Sequence, residues 1–315
     1  MISLKIKDEI KLDKIIKFFI LDELYPINAQ TGRGLYKVKD LDTQIFYSLK
    51  VFDLSLNSLS EIKKEMIALN ISIDKPEIFP KARLIYEDHG FAYLLIDWCD
   101  GITLKKYMDE FTLLNKNKEL DLIEFKKRLN ITKKIIESVM FIHNSKLIHR
   151  DLKPENIIVQ FDDKKEFQKI MIIDFGLATQ KRNRDEEGTP EFQSPEQFCK
   201  RDFNLTEKTD VFSLAKIICN FFDFKNINLY PNDSLKDWKS VPEINLFGSF
   251  LEYCKKNKNF SEEKIKNIEN INTDFNSAIR KSLSFDPSAR PSSKELYRFF
   301  NFNIINKINK YLKDY

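Results

Sequence analysis

The run His149-Arg150-Asp151-Leu152-Lys153-Pro154-Glu155-Asn156 places a carboxylate, an ammonium and an amide within a few residues of one another. A second carboxylate follows in Asp174-Phe175-Gly176, after the apolar runs Ile157-Ile158-Val159 and Ile170-Met171-Ile172-Ile173. Short β-branched runs bounded by polar residues read as paired strands, so the polar groups stand at the mouths of two strands. Asn156 and Asp174 are oxygen donors of the kind a hard divalent cation takes. Asp151 and Lys153 are then placed to face a phosphoryl group.

Elements that would position this cluster are legible on both sides of it. Residues 8–24 carry Ile10, Leu12, Ile15, Ile16, Phe18, Phe19 and Leu21; the first part fits a short amphipathic helix, and Phe18 to Leu24 a first strand. Leu35-Tyr36-Lys37-Val38 and Ile45 to Val51 are β-rich and flank Asp40-Leu41-Asp42-Thr43, which predicts a hairpin. Ser58 to Asn70 has helical periodicity, with Ser58 at the N-cap position and Glu61 three residues on. Arg83 to Tyr86 and Tyr93 to Ile96 form another strand pair around Glu87-Asp88-His89-Gly90. From Thr103 onward the pattern is largely helical. Asn115 to Leu120 and Asp162 to Phe167 read as insertions, and residues 223–245, with Pro231 and Pro242, as a long loop region.

The motifs HRDLKPEN and DFG, in that order, resemble the eukaryotic-type Ser/Thr protein kinases. The resemblance covers roughly residues 18–302, and an eight-residue match is far more specific than an isolated glycine-rich loop. It implies an α+β, bilobal fold: a small antiparallel β-sheet lobe with one main helix (about 18–97) and a larger, mostly helical lobe (about 100–302). Residues 1–17 would be an N-terminal extension and 303–315 a tail. It also implies transfer of the ATP γ-phosphate, with Mg²⁺, to Ser or Thr hydroxyls of a protein substrate. Lys50, ending the run Tyr47-Ser48-Leu49-Lys50, would contact the α- and β-phosphates, held by Glu65. Asp151 would orient the acceptor hydroxyl and take its proton, while Lys153 neutralises the γ-phosphate. Asn156 and Asp174 would hold Mg²⁺. Ile96 would sit behind the adenine, Asp97 to Cys99 would be the hinge whose backbone reads the base, and Leu35, Ser48 and Ile158 would sandwich the ring. His149 and Phe175 would pack beneath the site, with no site assigned to His143 or His89. In Gly188-Thr189-Pro190-Glu191-Phe192-Gln193-Ser194-Pro195-Glu196, Thr189 would bond toward Asp151 and Lys153, and Glu196 would pair with Arg290 in the interior. Asp210 in Asp210-Val211-Phe212-Ser213-Leu214-Ala215 matches a structural aspartate of the family.

Two stretches depart from the family pattern. Counting back from Lys50, the three usual glycine positions are Asn28, Gln30 and Arg33, while Gly32 and Gly34 are displaced by one. Either the loop shifts register to use Gly32 and Gly34, or nucleotide is held less tightly. Where the family often has a phosphothreonine, this chain has Asp185, followed by Glu186 and Glu187. Permanent negative charge there, paired with Arg150, would make activating phosphorylation unnecessary.

Composition sets the remaining bounds. With 315 residues and 42% apolar content the chain is long enough for two packed lobes, and a net charge of +4 from interspersed residues gives no nucleic-acid footprint. Cys99, Cys199, Cys219 and Cys254 have no metal or disulfide spacing. No run approaches the roughly 20 apolar residues a membrane span needs, and the first 25 residues lack a signal-peptide pattern. These features predict a soluble, cytoplasmic protein with reduced thiols; its oligomeric state is unread. A pseudokinase-like scaffold and a small-molecule phosphotransferase are the competing readings.

Overall fold

A computed structural model describes residues 9–12, 16–71, 78–115, 117–179, 188–198, 204–224 and 241–312. The chain divides into two units, one of residues up to Asp100 plus Met171–Ala178, the other of Gly101–Ile170 and Thr179 onward.

The first unit is built on a six-stranded antiparallel sheet. Its strands are β1 (Glu9–Leu12), β2 (Ile16–Tyr25), β3 (Arg33–Asp40), β4 (Phe46–Asp53), β5 (Ala82–Asp88) and β6 (Phe91–Asp97), in the order β1-β2-β3-β4-β6-β5. Helix α1 (Leu59–Ile71) joins β4 to β5 and packs on the sheet through Ile62, Ala68 and Leu69. Alternation decides what each face does. Ile20, Tyr36, Val38, Leu49, Val51 and Leu95 point into one core. Leu35 pairs with Lys50, and Ser48 with both Lys37 and Ile96, so the intervening residues line the other face.

The amphipathic helix expected before Phe18 is instead β1, paired with β2 through Ile10↔Phe18 and Glu9↔Phe19. Ile10 and Phe18 are both buried in the sheet core, and a period of two outcompetes the helical template once a partner strand is present. At α1, Ser58 Oγ accepts from Ser60 N rather than closing a capping box with Glu61.

The second unit begins with β7 (Ile102–Thr103), α2 (Leu104–Glu110) and α3 (Leu122–Asn144). Thr103 and Asp121 cap these helices by accepting from Lys106 N and Glu124 N. The hairpin β8 (Ile157–Phe161) and β9 (Phe167–Ile172) joins β7 in a three-stranded sheet. Then come α4 (Pro195–Phe198), α5 (Glu207–Phe221), α6 (Gly248–Lys256), α7 (Glu262–Ser282), α8 (Ser293–Phe299) and α9 (Asn306–Tyr311). Ser292 and Glu295 close a reciprocal cap at α8. Helix α5 is buried nearly all round, as the central helix of a bundle must be. Phe125 stacks on Phe250 at 4.5 Å, and Phe247, Phe275 and Phe300 extend this aromatic core. Ile304, Ile305, Ile308 and Leu312 are buried too, so residues 303–312 pack rather than trail. No helix among the described residues is long and apolar enough to cross a membrane.

Four interior charges are matched in two pairs. Arg128 is fully buried, bonds Glu124 at 2.7 Å and donates to the carbonyls of Phe221 and Phe111. Arg290 grips Glu196 with both arms, at 2.7 and 2.9 Å, and Thr209 Oγ1 donates to the same carboxylate. Such a pair is costly to break because the surviving charge stays buried. Arg290→Ala is therefore expected to cost about 3–5 kcal/mol, read as a lower urea midpoint with an unchanged m-value.

Candidate active site

In the first unit, the non-core face of the sheet carries the chemistry. Lys50 Nζ lies 2.5 Å from Glu65 Oε1 and 2.7 Å from Asp174 Oδ1. Glu65, on the inner face of α1, is 4% exposed, while the Asp174 side chain is 43% exposed. Burial alone would lower the Lys50 pKa, but Asp174 and Glu65 outweigh it and hold the ammonium above its usual value. Burial pushes Glu65 up, and Lys50 partly opposes that. Lys50 thus remains a cation with two carboxylates, one enclosed and one accessible. Asp174 takes a left-handed backbone, φ 64°, which an aspartate rarely adopts without compensation. Phe175, the next residue, anchors it by burying its ring edge-on against Phe79 at 5.8 Å.

The register described above puts Leu35, Ser48 and Ile96 on the same face as Lys50. Asp97 N–H donates to Lys81 O, so that amide is already spent, and Arg83 grips the Asp97 carboxylate at 2.6 and 2.8 Å. Cys99 follows, half-buried.

The turn between β2 and β3 shows what the displaced glycines do. Asn28 Oδ1 accepts from the amides of Gln30 and Thr31, and its carbonyl accepts from Gly32 N. Gly32 sits at φ 64°, where a Cβ would lie 2.9 Å from Asp53 Cβ. A Cβ at Gly34 would lie 2.8 Å from Ile27 Cγ1. Both glycines are thus required by packing within the unit. Asn57 fastens the turn, donating to the carbonyls of Thr31 and Asp53 and accepting from Arg33 Nε at 2.7 Å. Neither Asn28 nor Asn57 stands out in the sequence as anything but a polar loop residue.

In the second unit, the chemistry gathers on the loop before β8. Asp151 Oδ1 accepts from Thr189 N at 2.9 Å and from Thr189 Oγ1 at 2.8 Å. Lys153 Nζ donates to the same hydroxyl at 2.8 Å and lies 2.9 Å from Asp151 Oδ2. Asn156 Nδ2 donates to Asp151 O at 2.9 Å, which leaves the amide oxygen as the donor available to a cation. Ile158 lies in β8, paired with Thr103, and is buried.

Asp210, at the start of α5, holds this loop in place. It is fully buried and accepts from His149 N at 2.8 Å, Arg150 N at 2.9 Å and His143 Nε2 at 2.9 Å. Burial would raise its pKa, but the hydrogen bonds from His143 and the loop backbone outweigh it and hold the carboxylate below its ordinary value. His143, to which the sequence assigned no site, is thus a support for the loop, tied in turn to Ser293 at 2.7 Å. Arg150 is held at φ 70°, and Gln197 Nε2 donates to its carbonyl at 2.7 Å. Gly188 allows that approach, since a Cβ there would sit 3.0 Å from Arg150 O. Glu196 and Arg290 meet as the sequence implied. Asp185, Glu186, Glu187 and Cys199 lie outside the described residues.

These arrangements agree with what the chain resembles. Residues 30–299 match the protein kinase domain family, and the chain belongs to that family. It is 29% identical over 222 residues to calcium-dependent protein kinase 5 of Plasmodium berghei, covering 66% of this chain and 37% of that protein. It is 28% identical over 239 residues to the calcium/calmodulin-dependent protein kinase type 1 of Macrobrachium nipponense, covering 72% and 65%. With the serine/threonine-protein kinase PLK4 of Drosophila grimshawi the identity is 26% over 188 residues, covering 56% and 23%. The matched region therefore spans between about a quarter and two thirds of each of these relatives.

Because the folded Asp210 pKa is depressed, its contribution to stability is present above about pH 4 and lost as pH falls through the folded value. Asp210→Asn is expected to unfold more readily than wild type at neutral pH, the two converging toward acid, as followed by denaturant titrations at stepped pH.

Proposed function

We propose that this kinase domain transfers the γ-phosphate of ATP to serine or threonine hydroxyls of a protein substrate in the presence of Mg²⁺. The observation that carries this reading is at Asp151, whose Oδ1 already binds one threonine hydroxyl, that of Thr189, at 2.8 Å. A carboxylate that accepts a hydroxyl proton beside an ammonium is suited to orienting a second hydroxyl and receiving its proton during transfer. Lys153 would stabilise charge on the phosphoryl oxygens, and Thr189 would keep Asp151 and Lys153 in register. Lys50, kept charged by Glu65, would hold the α- and β-phosphates. Leu35, Ser48, Ile96, Ile158 and the backbone of Asp97 to Cys99 would receive the adenine, and Gly32 and Gly34 would shape the nearby turn.

Asn156, in the second unit, and Asp174, in the first, each offer a hard oxygen of the kind Mg²⁺ takes beside water and phosphate. Held there, Mg²⁺ would supply positive charge against the transferred group. Asn156 is already oriented by Asp151 O, and Asp174 by Lys50.

The internally satisfied turn at Asn28 also supports a second reading, a scaffold that binds nucleotide weakly. Labelled ATP, Mg²⁺ and mixed protein substrates separate the two. Label on Ser or Thr that falls at least about 100-fold in Asp174→Ala is expected for the kinase. Partner binding that ignores nucleotide, with no label transferred, would establish the scaffold instead.

We further propose that Asp185 and its acidic neighbours replace an activating phosphate. The support is their position in the sequence before Gly188-Thr189 and the presence of Arg150 beside Asp151. Protein made in a host without such kinases and treated with phosphatase is expected to keep full activity. The scattered cysteines favour a reducing compartment such as the cytoplasm.

A further inference from the structure

Lys216 is a buried cation that none of the roles above employs. It lies in the middle of α5, is 7% exposed, and makes no hydrogen bond or ion pair with any described residue. Burial lowers its pKa to about 8, with Glu191 and Cys219 opposing the shift. Glu191 is exposed and forms no ion pair with it. An unpaired ammonium in the interior is unfavourable, and every other buried charge described above has a partner at hand.

Its position suggests what completes it. Helix α5 meets the segment after Thr189 along one face. Ser213 Oγ donates to Phe192 O at 2.8 Å, and Asn220 Nδ2 approaches Glu191 Oε1 at 3.4 Å. Lys216 falls between Ser213 and Asn220 at helical spacing, on the same face. That segment starts at Thr189, whose hydroxyl and amide are bound to Asp151. A polypeptide presenting a hydroxyl to Asp151 would bring its neighbouring residues beside 189–192, the segment that meets the face of α5 carrying Lys216.

We infer that Lys216 selects protein substrates carrying an anionic side chain, a carboxylate or a phosphate, within two residues of the accepting serine or threonine. The inference rests on the Ser/Thr kinase reading and names its substrate class. A substrate anion would give the ammonium the partner it lacks among the described residues, while Glu191, carrying the same sign as that anion, tempers the attraction.

The test is a set of peptides with one serine, in which aspartate, phosphoserine or alanine is walked from three residues before the serine to three after. The kcat/KM ratio of anionic to alanine peptide is measured for wild type, Lys216→Met and Glu191→Gln. One charge-assisted hydrogen bond predicts a wild-type ratio of roughly tenfold at one position within two residues of the serine. That ratio should collapse toward one in Lys216→Met, whose side chain fills a similar volume, and should rise in Glu191→Gln, which keeps an amide oxygen for Asn220 Nδ2. The aspartate and phosphoserine arms decide which anion is preferred. A ratio near one at every position in wild type would overturn the inference while leaving the kinase reading intact, as would a preference surviving unchanged in Lys216→Met. Absence of transfer to any peptide or protein would remove both.

Discussion

A single carboxylate, Asp210, sets the geometry on which the second unit's chemistry depends. The loop carrying Asp151 has no regular structure until Pro154, so its backbone amides need acceptors from elsewhere. Asp210 supplies them to His149 and Arg150 and receives a third bond from His143. Held in this way, Arg150 can keep a left-handed backbone that would otherwise cost about 1–3 kcal/mol. Its carbonyl then turns toward Gln197, and Gly188 passes close above it. Thr189 follows Gly188 directly, so the loop's strained conformation and the Thr189–Asp151 contact form one continuous arrangement. The ion pair of Glu196 with Arg290 secures the far end of the same segment.

The first unit solves a different problem, that of keeping a lysine charged on a mostly apolar sheet. Glu65 is almost wholly enclosed and does so at the expense of its own ionisation, which burial disfavours. Asp174 shares the task from a strained backbone position while its side chain stays accessible. An enclosed carboxylate is suited to holding Lys50 permanently, and an exposed one to exchanging Lys50 for another cation.

Much of this was legible in the sequence because the residues that matter lie in short runs of fixed spacing. Lys50 and Glu65 follow from the family resemblance of one strand end and one helical run. Asp151, Lys153, Asn156 and Thr189 were found from their motifs, and the structure brings the members of each unit to bonding distance. What escaped was long-range. Nothing local marks His143 as a partner of Asp210 and Ser293, Gln197 as a support for Arg150, or Asn57 as the fastener of the turn at Asn28. The strand β1 reads as a helix because Leu12, Ile15, Ile16 and Phe19 satisfy a helical template, while Ile10, Leu12, Ile16 and Phe18 satisfy an alternating one. Pairing with β2, a contact that propensity does not encode, decides between them.

The contacts of Asp210 also bear on the order in which the molecule is completed. Arg150 precedes Asp210 by 60 residues, and His143 precedes Ser293 by 150. As the chain emerges from the ribosome, the first unit's sheet can assemble from neighbouring hairpins while the loop bearing Asp151 still waits for its acceptor. A nascent chain stalled between these points would carry Asp151, Lys153 and Asn156 without the framework that aligns them. Competence for chemistry would therefore arrive late in synthesis, with α5 and then α8.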